Sequence, residues 1–169
     1  MEERPNPTDA AFHNVLASYS LLVYRLAYVR TGNRHDADDI YQEVFLRYVK
    51  ASPAFESEEH GKAWFIRVTV NLCANLLKSA WRKRTVILSD QPGYMDDIQD
   101  EDYGELKAAL LMLPPRSRTV IHLFYFENMP AEAIAKTLRM PASSVRVMLS
   151  RTRKKLKTYL IGEEAHVHV

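Results

Sequence analysis

The chain of 169 residues has one cysteine, Cys73, and five glycines. One cysteine excludes an intramolecular disulfide framework and a multi-cysteine zinc site. Its place on the apolar face of a helical pattern reads as core packing rather than a thiol switch. Scarce glycine, with no strong alternation of apolar and polar residues, argues against a strand-and-turn architecture. The longest apolar runs, such as residues 108–113, are far too short to cross a bilayer. The start, MEERPNPTDA, is acidic and proline-bearing and has no apolar stretch like that of a signal peptide. A cytoplasmic protein is expected. No nucleophile elbow or phosphate loop is present, and His13, His35, His60 and His122 are scattered. The chain is expected not to be an enzyme and to need no metal or cofactor. His166 and His168 form an HxH at the tail, which reads as a disordered end rather than a metal site.

Two further absences are local. Residues 62–84 hold six basic residues and no acidic one, whereas residues 85–105 hold seven acidic residues and no basic one. Residues 106–162 then carry 11 basic residues against two acidic ones, and residues 1–61 carry six against ten. The formal net charge of +2 is therefore a cancellation. Two positive blocks separated by a negative one suggest two polyanion-binding surfaces and a connector that avoids polyanions.

Helical spacing recurs throughout, so the fold class is all-α. Thr8 can cap a first helix with Phe12, Val15, Leu16, Tyr19, Val23 and Leu26 on its apolar face, stopping at Gly32. A second helix starts near Asp36, where Asp36, Asp38 and Asp39 suit the positive end of the helix dipole. Ile40, Val44, Phe45, Tyr48 and Val49 face inward. Ser57, Glu58 and Glu59 open a third helix running to about Arg84. Four shorter helices are expected at about 104–112, 115–126, 130–138 and 142–160, with Pro115, Pro130 and Pro141 marking their starts. The organisation is two small helical domains, residues 8–84 and 106–161, joined by an acidic linker, residues 85–105. Val86, Ile87, Leu88, Tyr94, Met95 and Ile98 give that linker enough apolar character to dock.

At roughly 100° per residue, Arg67, Asn71, Asn75 and Lys78 fall with Arg82 and Trp64 on one stripe of the third helix. The opposite side carries Phe65, Thr69, Leu72, Cys73, Leu76 and Ala80. Cations neutralise phosphates, amides pair with base edges, and an indole offers a face to an unstacked base. A solvated face with Trp64 tucked into the core is an equally open reading of that spacing. Arg82, Lys83 and Arg84 extend the charge to the helix end. Residues 130–157 have the pattern of a helix-turn-helix. Ile134, Ala135 and Leu138 face inward from one helix, and Val145, Met148, Leu149, Thr152 and Leu156 from the next. Outward come Ser143, Arg146, Val147, Ser150, Arg151, Lys154 and Lys157. Arg near the start of such a helix can reach guanine in the major groove, and Arg153, Lys154, Lys155 and Lys157 suit phosphates.

Both blocks, in this order, resemble a bacterial sigma factor of the sigma-70 class, specifically the short extracytoplasmic-function (ECF) group. Its domain 2 pattern matches HDADDIYQEVFLRYVK and AWFIRVTVNLCANLLKSAWRKR, and its domain 4 pattern matches LPPRSRTVIHLFYFENMPAEAIAKTLRMPASSVRVMLSRTRKKL. The resemblance implies that Asp39, Gln42, Glu43, Leu46 and Arg47 grip the clamp of core RNA polymerase. It implies that Asn71 reads a flipped −10 base beside Trp64, Arg67 and Asn75, with Lys78, Arg82, Lys83 and Arg84 on adjacent phosphates. It implies that Ser143, Ser144, Arg146, Val147, Ser150, Arg151 and Lys154 face −35 DNA. The implied partners are core polymerase, promoter DNA and an anti-sigma factor, commonly membrane-bound in the group. No small-molecule substrate is implied, and the free chain is expected to be a monomer. A metal site from His35, Asp36 and Asp39 is not expected, since acids at a helix start compensate its dipole.

Three positions depart from the family pattern. Arg139 stands where the family usually has Gly. A left-handed backbone there would cost roughly 1–2 kcal/mol, so a slightly different turn is expected. Val147 and Met148 stand where Ser and Arg are frequent. Met148 falls on the inner face, which removes one phosphate contact. The rival reading is a stand-alone helix-turn-helix transcriptional regulator. It accounts for residues 106–160 but not for the stripe on residues 62–84, and it would bind its operator without polymerase.

Overall fold

The computed structural model of the chain describes residues 9–84 and 104–167, with side chains over residues 10–79 and 105–161. The described residues form seven helices and no strand: α1 (Asp9–Thr31), α2 (Arg34–Ala51), α3 (Glu58–Arg84), α4 (Gly104–Leu111), α5 (Pro115–Tyr125), α6 (Ala131–Leu138) and α7 (Ala142–Val167). Thr8 and the connector up to residue 103 lie outside the described residues, as do the side chains of Arg82, Lys83, Arg84, His166 and His168.

Local chemistry explains most boundaries. Gly32 ends α1 with a left-handed backbone at φ 69°, which only glycine adopts without steric cost. Asn33 then caps α2, its side chain accepting from the Asp36 amide at 3.1 Å. The helix therefore begins at Arg34, two residues before the expected start. Pro115 occupies the first turn of α5, where its missing N–H costs nothing. Pro130 is instead the N-cap of α6, in an extended conformation. The last helix continues to Val167, beyond the expected end near residue 160.

Arg139 overturns one expectation. Its backbone is left-handed, φ 55° and ψ 53°, and its N–H donates to the Ala135 carbonyl. The next amide, of Met140, donates to the same carbonyl at 3.0 Å. The chain keeps the sharp turn between α6 and α7 and bears the Cβ crowding, because those bonds satisfy the end of α6.

Two buried clusters hold the fold. One gathers Val23, Ala27, Ile40, Val44, Phe45, Tyr48, Phe65 and Cys73 from α1, α2 and α3. Tyr48 joins several of its rings, with centroids 5.6 Å from Phe65, 6.1 Å from Trp64 and 6.3 Å from Phe55. Such pairs add to the burial of large apolar area. The other cluster is built on Val120, Ile121, Leu123, Ile134, Val145 and Leu149 from α5, α6 and α7, and it also takes in Leu22 and Leu26 of α1 and Ile66 of α3. Helix α1 thus lies between the two helix groups, Val23 and Ala27 turned to one cluster and Leu22 and Leu26 to the other.

Candidate nucleic-acid interface

Helix α3 sets the first surface. Phe65, Thr69, Leu72 and Cys73 are buried, and Thr69 Oγ1 donates to the Phe65 carbonyl at 2.7 Å, so its hydroxyl is satisfied inside the helix. Burial pushes the Cys73 thiol up to about 12, in keeping with a packing role and an unreactive sulfur. With that face inward, Asn71, Asn75 and Lys78 are exposed and Arg67 is half-buried. Arg67 Nε donates to the Ala63 carbonyl at 3.3 Å. Trp64 combines both readings of its position. Its ring stands edge-on to Phe65 at 4.9 Å and is tilted against Phe55 at 5.9 Å, yet the residue also lines a cleft of about 390 Å³ with His60, Arg67 and Asn71. An indole anchored at one edge presents a fixed stacking surface at the other.

Helix α7 sets the second surface. Val145, Leu149 and Thr152 are buried, which turns Ser143, Ser144, Arg146, Val147, Ser150, Arg151 and Lys154 to solvent. Met148 is half-buried and packs on the core cluster, as its inner-face position implies. The basic residues of this helix behave differently from one another. Arg146 is ion-paired with Glu132 of α6. A backbone hydrogen bond, then the Arg146 side chain, hold that carboxyl below its usual range. Arg153 is exposed but engaged: its Nε donates to the Tyr125 hydroxyl, and its guanidinium lies over the Phe124 and Tyr125 rings at 5.3 and 5.5 Å. In the free chain this places Arg153, expected to suit a phosphate, in a cation–π contact within the fold. Arg151 and Lys155 instead flank a cleft of about 460 Å³. Ser117, from the first turn of α5, shares that cleft with Ser143, Ser144 and Val147. Ser117 carries no signal in the sequence, because the approach of α5 to the start of α7 is set by tertiary packing.

Helix α2 sets a third surface. Asp39, Gln42, Glu43, Leu46 and Arg47 are all exposed along it, and Leu46 is 54% exposed. Glu43 and Arg47 pair at 3.3 Å one turn apart, and His35 and Asp39 at 3.8 Å. Among the described residues no cluster of three or more His, Cys, Asp or Glu could hold a metal ion, and no helix is long and apolar enough to cross a membrane.

Sequence patterns gave no hint of the polar contacts between the two helix groups. Lys62 Nζ donates to the Glu127 carbonyl at 3.1 Å and lies 3.8 Å from its carboxylate. Burial alone would raise the Glu127 carboxyl, but His122, its Nε2 3.6 Å from the carboxylate, with Lys62 and Arg25, brings it below its ordinary value. Arg30 donates to Thr119 Oγ1 at 2.8 Å, and Arg118 to the Val29 carbonyl at 2.9 Å.

Comparison with known proteins places these surfaces in a family context. Residues 15–83 match the pattern of Sigma-70 region 2, and residues 103–156 that of Sigma-70, region 4. The chain is 33% identical over 147 residues to the ECF RNA polymerase sigma factor SigE of Mycolicibacterium smegmatis, covering 82% of this chain and 57% of that protein. It is 27% identical over 168 residues to the RNA polymerase sigma factor SigV of Bacillus subtilis, covering 96% of this chain and 98% of that protein. Among solved structures, the sigma factor RpoE in complex with the anti-sigma factor NepR from Bartonella quintana superposes with a TM-score of 0.70 at 18% identity, covering 88% of this chain and 96% of that one. CnrH in complex with the cytosolic domain of CnrY gives 0.67 at 21%, covering 92% and 90%.

Proposed function

Because the chain belongs to the sigma-70 family of RNA polymerase sigma factors, in its extracytoplasmic-function group, we propose specific roles for its three exposed surfaces. Residues 8–84 form a domain that binds core RNA polymerase and reads the −10 element. Residues 106–161 form the −35 reader, and residues 85–105 connect the two. Asp39, Gln42, Glu43, Leu46 and Arg47 dock on the polymerase clamp. Asn71 receives an unstacked −10 base, Trp64 supplies its stacking face, and Arg67, Asn75, Lys78, Arg82, Lys83 and Arg84 hold the neighbouring strand. Ser143, Ser144, Arg146, Val147, Ser150, Arg151 and Lys154 face the −35 major groove. The protein performs no catalysis of its own and acts in the cytoplasm.

The observation that carries this reading is the cleft where an anchored indole, a guanidinium and an amide converge: Trp64, Arg67 and Asn71. Stacking face, phosphate-pairing cation and base-edge partner are what capture of a single unstacked base requires. Removing that base from the duplex nucleates melting. Neither surface holds enough cations for tight salt-resistant binding alone. Polymerase supplies the scaffold on which both engage at high effective concentration. Two structural relatives were solved with anti-sigma factors or their domains, and an anti-sigma partner is part of the proposal.

Transcription from a promoter library, with core polymerase in the presence and absence of this chain, tests the reading. Start sites that depend on both components and share two upstream elements are expected. Binding to a single duplex element with equal affinity in the absence of polymerase would instead mark an operator-binding regulator.

A further inference from the structure

Residues 106–162, the second positive block, contain two acidic residues, Glu127 and Glu132. The Glu127 side chain is withdrawn from solvent, 15% exposed and 3.8 Å from Lys62. Glu132 is 64% exposed and ion-paired with Arg146, the first cation of α7. The open carboxylate of a strongly basic block thus lies on a surface proposed to meet DNA, itself a polyanion. From this placement we infer that Glu132 sets the specificity of Arg146: it cancels the arginine's charge toward phosphates and leaves its N–H donors for a base edge. This role rests on the proposed −35 reading of α7.

Stability does not explain the pair. Arg146 is itself 58% exposed, and an exposed ion pair adds little to folding. The packing of α6 on α7 is already carried by buried Ile134, Ala135, Val145 and Leu149. Glu132 stands in the first turn of α6, where a carboxylate suits the helix dipole, but dipole compensation alone requires no partner 14 residues further along the chain. The carboxylate is held from two sides, by a backbone hydrogen bond at the start of α6 and by Nη2 of Arg146. The guanidinium is thereby oriented against α6 instead of swinging freely on α7.

Position along α7 decides what Arg146 can reach. Between Ala142 and Ser150 it is the single cation, and Ser143, Ser144, Val147 and Ser150 are exposed with it. Arg151, Lys154, Lys155 and Lys157 follow with no acidic residue among them. With Arg146 paired, the start of the helix carries no net charge and its later part is strongly positive. The start of a recognition helix meets base edges, and cations further along suit phosphates. Net charge draws phosphates, and the neutral Arg146–Glu132 pair offers none. Guanine O6 and N7 are uncharged acceptors that a guanidinium meets with two of its five N–H donors. One bond to Glu132 leaves enough donors for both. The carboxylate therefore lowers affinity for the DNA backbone in general and costs little at a guanine, which raises discrimination rather than binding.

The test uses holoenzyme reconstituted from core polymerase and the full chain, as the parent, Glu132→Gln, Arg146→Ala and the double variant. Promoter duplexes carrying each base pair in turn at every −35 position give the ratio of preferred to non-preferred affinity. Arg146→Ala should flatten the preference at one position, removing part of the roughly 5–150-fold that a bidentate arginine–guanine contact supplies. Glu132→Gln should lower the ratio at that same position about fivefold, the lower end of that range, chiefly because the non-preferred duplexes bind more tightly. On those duplexes the log–log salt slope should steepen by ~0.9, one further phosphate contact. In the Arg146→Ala background, Glu132→Gln should change neither quantity. Thermal midpoints of the four chains should agree, as an exposed pair implies. Equal tightening on preferred and non-preferred duplexes overturns the specificity role and leaves a bulk charge effect. The same shift with and without Arg146 overturns the pairing, since Glu132 then acts by itself. If Arg146→Ala flattens one position while Glu132→Gln leaves ratio and slope intact, the −35 assignment stands and the role of Glu132 falls. If Arg146→Ala leaves every −35 preference unchanged, Arg146 reads no base and the fault lies in the −35 assignment.

Discussion

Arg139→Gly should stabilise this protein even though it removes a long side chain from an exposed turn. The residue sits at φ 55° and ψ 53°, where a Cβ crowds the following carbonyl at a cost of roughly 1–2 kcal/mol. Glycine removes that crowding but gives the unfolded chain more freedom, which returns about 0.4–1 kcal/mol. The net expectation is a gain of about 0.5–1 kcal/mol. Little is lost with the guanidinium, which is exposed. The two amides that close the turn, of Arg139 and Met140 onto the Ala135 carbonyl, are backbone bonds that glycine keeps. For a chain of this size the gain corresponds to a rise of about 1–4 °C in the thermal midpoint. Arg139→Ala is the reference, since it removes the same side chain and keeps the Cβ. Thermal and urea unfolding of the three chains give the comparison. If Arg139→Gly is no more stable than Arg139→Ala, the left-handed turn is not strained and the reasoning fails.

The remaining expectations concern function. Asn71→Ala should reduce open-complex formation about tenfold, the scale of a lost base-edge pair at ~1–3 kcal/mol, with core-polymerase affinity unchanged. Permanganate reactivity of the −10 region and a polymerase pull-down read the two, and equal loss of both would remove the base-reading role. Glu43→Lys breaks the pair with Arg47 and places two cations one turn apart, so core affinity should fall first. Unchanged affinity in a titration of labelled polymerase would refute the clamp assignment. Duplex binding at the −35 element should weaken with salt at a log–log slope near −3.6, at ~0.9 per phosphate for four contacts by Arg151, Lys154, Lys155 and Lys157. A slope near −8 would mean that the whole positive excess of the block touches DNA.

Helix positions were legible because their punctuation is local. Gly32, Pro115, Pro130 and Pro141 act through their own backbone limits, and the helices fall between them. The outward faces of α2, α3 and α7 follow from the same logic, since a helix that buries Phe65, Leu72 and Cys73 must turn Asn71, Asn75 and Lys78 to solvent. Misreadings arose where a residue's role depends on a partner distant in the chain. A single apolar stripe on α1 omits Leu22, whereas α1 buries two faces. Apolar residues at both Leu22 and Val23, and again at Leu26 and Ala27, widen the arc beyond one stripe, and that width was the available signal. Arg139 was expected to avoid a left-handed backbone on cost alone. A cost of one or two kcal/mol is easily outweighed when the alternative leaves a helix end unsatisfied.

The same dependence on distant partners changes what the charge pattern means. Residues 106–162 carry 11 basic residues against two acidic ones, and a count treats each as available to DNA. In the folded chain Arg118 is buried at the junction of the two helix groups, Arg153 is spent on the Phe124 and Tyr125 rings, and Arg146 is held by Glu132. From the first positive block, Lys62 is engaged by Glu127. Cations engaged in this way enter the net charge in full but are less available to phosphates while those contacts hold. Several of them are engaged by contacts between or within the helix groups, so the charge presented to a polyanion depends on whether those contacts hold. An arginine tied to Glu132 can exchange that partner for a base edge or a phosphate when DNA arrives, and Lys62 is released only if the groups part. On the proposed function the positive blocks mark the DNA-facing surfaces, and their internal pairings lower the charge that the free chain presents there.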